Sequence, residues 1–452
     1  MDTIAERPAQ LGLEPVPTRQ RALGFFDTFV LWADLGVSFL VMVVGMFLVP
    51  GLGLGQAFLA ILIGAAIGNL LLAIAALIGS EVGVPTMVLL RHSLGLRGSY
   101  APSAINVLQL IGWATLEVIV MSQAADVLLT SVAGITGTFR IWALVFAVLT
   151  TLLALWGPVR VVKQFMEKFV VWLVLATTIW ITVAIFTSYD VGALLARPGT
   201  GEMPFLLAVD LVIALPISWV PLVADYSRLA RSRGAAFWGT GLGYFVPHVW
   251  FYALGALLVL SAGVVFDPVA PVAPLLAAIA GLTVGWLALL VLLVDETDEG
   301  FANVYSAAIS VQNVAPRLRQ RDVTLVIGAL VLVLAQLVPL TEYEPFLLLI
   351  GSVFVPLFGV LAADYFILRR GKYQEAALFQ PGGPYWYQNG VHWVGIACWL
   401  AGVATYLAIA GIRPLGVDGL APWLGATLPS LALAFVLYAL LGRLSVPSES
   451  KA

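Results

Sequence analysis

Between Leu54 and Gly79 the chain carries no charged residue, a run long enough to cross about 30 Å of hydrocarbon as a helix. Further apolar stretches of crossing length fall at about 25–49, 102–129, 139–156, 165–187, 205–228, 236–262, 282–311, 323–341, 345–368, 390–412 and 422–442, making twelve in all. Lipid offers the backbone no hydrogen bonds, so such a chain must fold as helices that satisfy their own amides. The expected class is an all-α polytopic membrane protein of about twelve transmembrane helices. Only 10% of the 452 residues are charged, against roughly 25% in soluble domains, so lipid must solvate most of the surface. The stretch 268–281, just after Asp267, is expected to be a re-entrant or surface helix ahead of the eighth span.

Charge in the connections orients these spans. Of the 22 Lys and Arg residues, all but Arg140, Arg197 and Arg413 fall on the side of the N-terminus. That side is therefore expected to be cytoplasmic, in a bacterial-type inner membrane, with both termini inside. The organisation expected is a polar tail at 1–20, one transmembrane transporter domain at 21–443 and a second tail at 444–452, both tails disordered. No cleavable signal precedes the first span. Net charge is −3 with no basic run, which argues against nucleic acid as a partner. The single cysteine, Cys398, excludes an internal disulfide framework, and the three histidines lack metal-ligand spacing. No cofactor and no obligate protein partner is indicated; the lipid bilayer and a small molecule are the partners expected.

Polar residues inside spans carry the functional signal, since a charge at the bilayer centre costs roughly 2.5–3.5 kcal/mol on insertion scales. In the third span Asn106, Gln109, Trp113 and Glu117 fall within about 80° of one another on a helical wheel. They form either a packing seam or a platform for a flat ring beside a hydrogen-bonding carboxylate. The eighth span reads Asp295-Glu296-Thr297-Asp298-Glu299 and continues in apolar register beyond Gly300. Asp295, Asp298, Glu299 and Asn303 share one arc, Glu296 lies at its edge and Thr297 points away. Four acids facing lipid would cost on the order of 10 kcal/mol, so the arc must face the protein interior, where it implies protons, a bound cation or a cationic substrate.

The first span holds Asp34 and Gly36 within a hydrophobic run, and the sixth holds Pro216 and Pro221 around Ser218-Trp219. Interrupted helices at membrane depth are tolerated where freed backbone groups line a cavity. Breaks in spans one and six are the pattern of a five-plus-five inverted repeat with a midplane site. The repeats are expected at about 25–187 and 205–368, followed by two C-terminal helices at about 390–442. Asp225 and Asp364 are expected to pair with Arg228, Arg369 or Arg370. His248 is expected to be a satisfied interior histidine, and Tyr385, Trp386 and Tyr387 interfacial anchors. Gly64 and Gly68 suit close helix packing.

At these positions the sequence resembles the nucleobase:cation symporter family of cytosine, hydantoin, allantoin and hydroxymethylpyrimidine permeases. The likeness rests on Leu31-Trp32, on Gly83-Val-Pro-Thr-Met-Val-Leu-Leu-Arg91 with Ser93-Leu-Gly-Leu-Arg-Gly98, and on Leu108-Gln-Leu-Ile-Gly-Trp113. It extends to Ser218-Trp219, Ala224-Asp225-Tyr226-Ser227-Arg228 and Ala363-Asp364-Tyr365 before Arg369-Arg370. The block from Gly83 to Trp113 is most similar to the hydroxymethylpyrimidine branch. The resemblance implies a LeuT-like fold with alternating access and a planar heterocycle held between Trp113 and Trp219. Glu117 and Asn303 would hydrogen-bond that ring, with Ser218 and Asp34 as further substrate-binding candidates. It also implies a coupling cation, Na+ or H+, between first-span carbonyls around Ala33 and Gly36 and the eighth span, where Asp295, Thr297, Asp298 and Glu299 are the candidates. Family members carry paired hydroxyl residues where this chain has carboxylates, which leaves Na+ and H+ both open.

The function expected is cation-coupled import of a pyrimidine-like nucleobase. The alternative is a transporter of the same fold for an amino acid or polyamine, with the eighth-span acids binding the amine. No nucleophile–base pair, zinc spacing or phosphate loop supports an enzyme, and no repeated filter sequence supports a channel.

Overall fold

The computed structural model describes residues 12–263, 272–338, 343–412 and 416–444. Arg7, Arg413, Lys451, the start of the 268–281 stretch and the end of the ninth span lie outside them. The first span is α1 (Phe25–Asp34) and α2 (Phe39–Phe47), followed by α3 (Leu54–Val82) and two short turns, α4 (Thr86–Leu89) and α5 (Arg91–Leu94). Next come α6 (Tyr100–Ala133), α7 (Phe139–Trp156) and a fifth span of α8 (Pro158–Val161) and α9 (Val171–Ser188), joined by a π-helical stretch over Val162–Val170. The short α10 (Val191–Ala196) precedes α11 (Phe205–Trp219), α12 (Val223–Ser227) and α13 (Arg233–Ala262). The rest comprises α14 (Ala273–Ala280), α15 (Gly285–Val314), α16 (Gln320–Ala335), α17 (Tyr343–Ala363), α18 (Trp393–Ala410) and α19 (Thr427–Leu441). The only named strands among the described residues are two-residue pieces, Gly411–Ile412 and Val417–Asp418, paired antiparallel.

Eight helical segments are long and apolar enough to cross a membrane, and the bent pair α1/α2 makes a ninth. The shorter α11 and α16 and the acid-bearing α15 bring the fold to an arrangement consistent with twelve crossings. Apolar side chains such as Leu108, Ile141, Leu152, Trp172 and Val326 stand exposed on the outer helices, the face that lipid must cover. The segment before α15 is indeed a short helix: α14 buries Leu275, Leu276 and Ile279.

Both expected interruptions are present. Helices α1 and α2 meet at a 60° bend across Leu35–Ser38, and α11 stops at Trp219, with α12 resuming at Val223. Glycines set how closely α13 approaches the first break. A Cβ on Gly36 would sit 2.8 Å from Pro247 Cγ, and one on Gly45 would fall 2.1 Å from the Tyr252 carbonyl oxygen. Reciprocally, a Cβ on Gly255 would meet the Met42 carbonyl at 2.0 Å, and one on Gly243 the Phe29 carbonyl at 2.6 Å. Helix α13 thus runs against both halves of the broken span.

Gly64 and Gly68 do serve close packing, against Val212 and Pro216 of α11, where a Cβ would come within 2.6 and 2.8 Å. Because a proline ring yields little, Gly68→Ala is expected to cost about 1–3 kcal/mol by overpacking. The measurement is the thermal unfolding midpoint of the purified protein; an unshifted midpoint would mean that the α3–α11 seam is soft.

Several sequence expectations need correction. Residues 12–20, expected to be part of a disordered tail, pack on the bundle: Val16 is buried and its N–H donates to the Gly83 carbonyl at 2.9 Å. The remaining tail residues, 1–11 and 445–452, lie outside the described residues. Arg228 donates to the Gly12 carbonyl at 2.8 Å. Tyr385 is buried, and the Tyr387 hydroxyl donates to the His92 carbonyl at 2.6 Å and accepts from Arg369 at 2.7 Å. Tyr385 and Tyr387 therefore belong to an internal aromatic network rather than an interfacial belt. Trp386 lies under the guanidinium of Arg97, 5.0 Å from its ring centroid. Asp364 does pair with Arg369, at 3.4 Å. The carboxylate of Asp225 accepts the Thr86 amide at 3.1 Å and also feels the charge of Arg228, whose Nε donates to the Asp225 backbone carbonyl.

Candidate functional site

Breaking the first span frees the amides that begin α2, and these need acceptors. Ser38 caps α2 by accepting from the Leu40 amide at 3.0 Å. The next acceptor comes from far away in sequence: Glu296 of α15 takes the Phe39 amide at 2.5 Å and the Ser38 hydroxyl at 3.4 Å. An acid from span eight therefore caps the half-helix of span one, the arrangement that the positive end of a helix favours.

A cavity of about 320 Å³, counting its open side, lies beside this junction. It is lined by Ser38, Trp113, Glu117, Ser218, Trp219, Tyr244, Glu299 and Asn303, with apolar fill from Leu40, Val41 and Leu215. Five sequence candidates for substrate contact, Trp113, Glu117, Ser218, Trp219 and Asn303, thus meet at one place. Each tryptophan has its own aromatic support. Trp113 packs edge-on against Tyr343 and Phe346, at 5.9 and 5.3 Å between centroids. Trp219 meets Trp32 at 5.8 Å and donates its indole N–H to the Tyr244 hydroxyl at 3.0 Å. The remainder of the third-span stripe fixes the helices around the cavity. Gln109 donates to the Ser218 carbonyl at 3.1 Å, and Asn106 donates to Ser310 Oγ at 2.8 Å.

Six acids are buried in this region: Asp34, Glu117, Asp295, Glu296, Asp298 and Glu299. Among the described residues none of them forms an ion pair. Two subsets can be told apart. Glu117, Glu296 and Glu299 bring carboxylate oxygens within 4.8 Å of one another, and Glu117 and Glu299 line the cavity. Asp34, Asp295 and Asp298 lie near enough for the charge of each to act on its neighbours, and none of the three lines the cavity. Ionised carboxylates only accept, and no oxygen of Asp34, Asp295 or Asp298 has a donor. Like charges held this close in a low-dielectric interior must be neutralised by protons or by a cation.

Two candidates lie elsewhere than expected. Asp34 belongs with the aspartates and does not line the cavity. Thr297 faces an apolar groove lined by Leu128, Trp142, Phe146 and Leu293, with its hydroxyl returned to the Val294 carbonyl at 2.7 Å. Thr297→Val is accordingly expected to leave uptake and its ion dependence unchanged in a transport assay; a lost ion dependence would return Thr297 to the ion path. Ala33 and Gly36 flank Asp34 at the end of α1 and in the break. Glu296, placed at the edge of the arc by the wheel, turns out to be central. His248, expected to be satisfied, has no hydrogen-bond partner on either ring nitrogen among the described residues and packs between Tyr244 and Tyr252, with centroids 4.7 and 4.5 Å away.

The block from Gly83 to Gly98 ties the parts together from the side of the N-terminus. Thr86 Oγ1 accepts the Ala224 amide of α12 at 2.9 Å. Arg91 donates from Nε and Nη2 to Asn313 Oδ1 of α15, at 3.0 and 2.7 Å.

A helix bundle with two broken spans around a buried polar cavity is the architecture of a membrane transporter. The match to the family model of permeases for cytosine/purines, uracil, thiamine and allantoin covers residues 15–422, and the chain belongs to that family. It is 27% identical to YxlA of Bacillus subtilis (strain 168), a protein whose name proposes a purine-cytosine permease, over 84% of each chain. It is 23% identical to the hydantoin permease of Microbacterium maritypicum, covering 91% of this chain and 86% of that one. Among solved structures, Mhp1, a nucleobase-cation-symport-1 family transporter in a closed conformation with bromovinylhydantoin bound, superposes with a TM-score of 0.83. The match is 20% identical over 98% of both chains. The fold is therefore the LeuT-like one of that family.

Proposed function

We propose that this transporter imports a planar, pyrimidine-like nucleobase of the hydroxymethylpyrimidine or cytosine type, by alternating access coupled to entry of Na+ or H+. The observation that carries the reading is the convergence of Trp113 and Trp219 on one cavity, with Glu117 and Asn303 in its wall. Flat faces from two helices suit a ring that stacks, and the polar groups between them suit its hydrogen-bonding edge. The aspartate group of Asp34, Asp295 and Asp298 is the proposed coupling-ion site, beside the α1–α2 break and its residues Ala33 and Gly36. Glu299 lines the cavity, and Glu296 caps the start of α2 beside it. The protein is proposed to sit in a bacterial-type cytoplasmic membrane with both termini inside.

The test is uptake of radiolabelled 4-amino-5-hydroxymethyl-2-methylpyrimidine and of cytosine into proteoliposomes under imposed Na+ or H+ gradients. Concentrative uptake of either under one of the gradients is the expected result. A second reading, an amine substrate, draws on the Glu117–Glu296–Glu299 group. Transport of putrescine but of no nucleobase would establish it and overturn the first.

A further inference from the structure

We infer that the ring is bound as a cation, so that the cavity selects a planar heterocyclic cation of the aminopyrimidinium or amidinium type over neutral nucleobases. This inference rests on the reading that the cavity takes a planar ring, and it assigns that ring a charge.

Three observations carry it. First, Glu117, Glu296 and Glu299 converge within 4.8 Å, and no basic side chain among the described residues pairs with them. Two of them, Glu117 and Glu299, line the cavity; two neutral amides would suffice to read a neutral nucleobase, and two carboxylates exceed what such a ring needs. Second, Glu117 is 1% exposed, lines the cavity, and has one carboxylate oxygen, Oε2, without a hydrogen-bond partner. An ionised carboxylate accepts and never donates. Uracil would bring carbonyl lone pairs along with its N–H groups, whereas an amidinium edge brings parallel N–H donors and a positive charge, the strong pairing for carboxylates. Third, three of the lining residues, Trp113, Trp219 and Tyr244, are aromatic, and the negative face of such a ring attracts a cation most when water is excluded.

The indole N–H of Trp113 adds a constraint on the same substrate. It is buried and unpartnered in the cavity wall, so it awaits an acceptor such as a ring nitrogen or a hydroxyl. A 4-aminopyrimidinium with one unprotonated ring nitrogen or a hydroxymethyl arm offers both edges at once. Neutralisation of the three glutamates by shared protons or by Na+ is the competing account, and it predicts no preference for a charged ring.

The experiment uses the full chain in lipid nanodiscs and reads binding by intrinsic tryptophan fluorescence at one fixed pH. The probes are 4-amino-1-methylpyrimidinium, whose charge does not titrate, uracil, which is neutral, and putrescine, which is cationic without a ring. The pyrimidinium is expected to bind about tenfold or more tightly than uracil, and Glu117→Gln is expected to narrow that ratio. Glu299→Gln serves the same purpose should the first variant fail to fold, and the wild-type comparison needs no variant. Uracil binding as tightly as the pyrimidinium would overturn the charge assignment and leave the planar-ring reading standing. Binding of putrescine alone would overturn both.

Discussion

Trp113→Ala is expected to lower nucleobase uptake by about a hundredfold while leaving the protein folded. Stacking on an aromatic side chain contributes roughly 1–3 kcal/mol per ring, and Trp113 supplies one face of the cavity. Its own supports, Tyr343 and Phe346, lie on α17 and remain after truncation. The vacated volume lies next to an existing cavity, so the loss falls on binding more than on stability. Trp113→Phe retains a face and is expected to lose far less. Trp219→Ala should cost binding and stability together, because Trp219 also packs against Trp32 and donates to Tyr244. Initial uptake rates against substrate concentration, with thermal unfolding in parallel, separate the two effects. Full uptake by Trp113→Ala would reduce the pair of tryptophans to packing.

Asp295→Asn carries the second large effect, on coupling rather than on binding. Asp34, Asp295 and Asp298 act on one another's charge, and no oxygen of the three has a hydrogen-bond donor among the described residues. Removing one charge from a group that depends on a proton or cation for neutrality takes away the reason for that ion to bind. The variant is expected to lose concentrative uptake almost entirely and to equilibrate substrate across the membrane. Asp295 does not line the cavity, so exchange of internal for external substrate should persist. Measured accumulation ratios with and without the driving gradient make the distinction. Undiminished accumulation in Asp295→Asn and Asp298→Asn alike would move the ion site elsewhere.

Much of the architecture could be read from periodicity. The stripe Asn106–Gln109–Trp113–Glu117 is a property of a regular helix, and a wheel renders α6 faithfully because α6 runs unbroken from Tyr100 to Ala133. The interruptions of spans one and six also follow from local chemistry, a glycine beside an acid and two prolines around Ser218-Trp219. What a wheel misses is the shape of the neighbour. Glu296 fell at the edge of the arc because a straight partner helix would have no use for it there. Its role exists only because α2 begins at Phe39 and presents unpaired amides. Asp34, a substrate-contact candidate in the sequence, lies beside Asp295 and does not line the cavity, a placement that depends on the turn at Leu35–Ser38. Tyr385 and Tyr387 carry the composition of an interfacial belt. Their burial depends on the loop folding back onto His92 and Arg369, a contact nearly 300 residues distant in the chain for Tyr387. Family resemblance compensated where periodicity was silent, locating Trp219 and Asn303 in the wall with Trp113 and Glu117.

Adjacent residues Asp295 and Glu296 on one turn of α15 reach different neighbours, the first Asp34 and the second Glu117 and the start of α2. If the aspartate group holds the coupling ion, as proposed, ion and substrate cannot bind independently. A positive charge arriving at either group of acids relieves repulsion felt by the other, so the two occupancies would be thermodynamically linked. Linkage is symmetrical: whatever factor ion occupancy contributes to substrate affinity, substrate must contribute to ion affinity. A competing arrangement also follows, because two positive charges in adjoining compartments oppose each other. The sign of the cooperativity then reports how many of the six carboxylates are ionised when both guests are aboard.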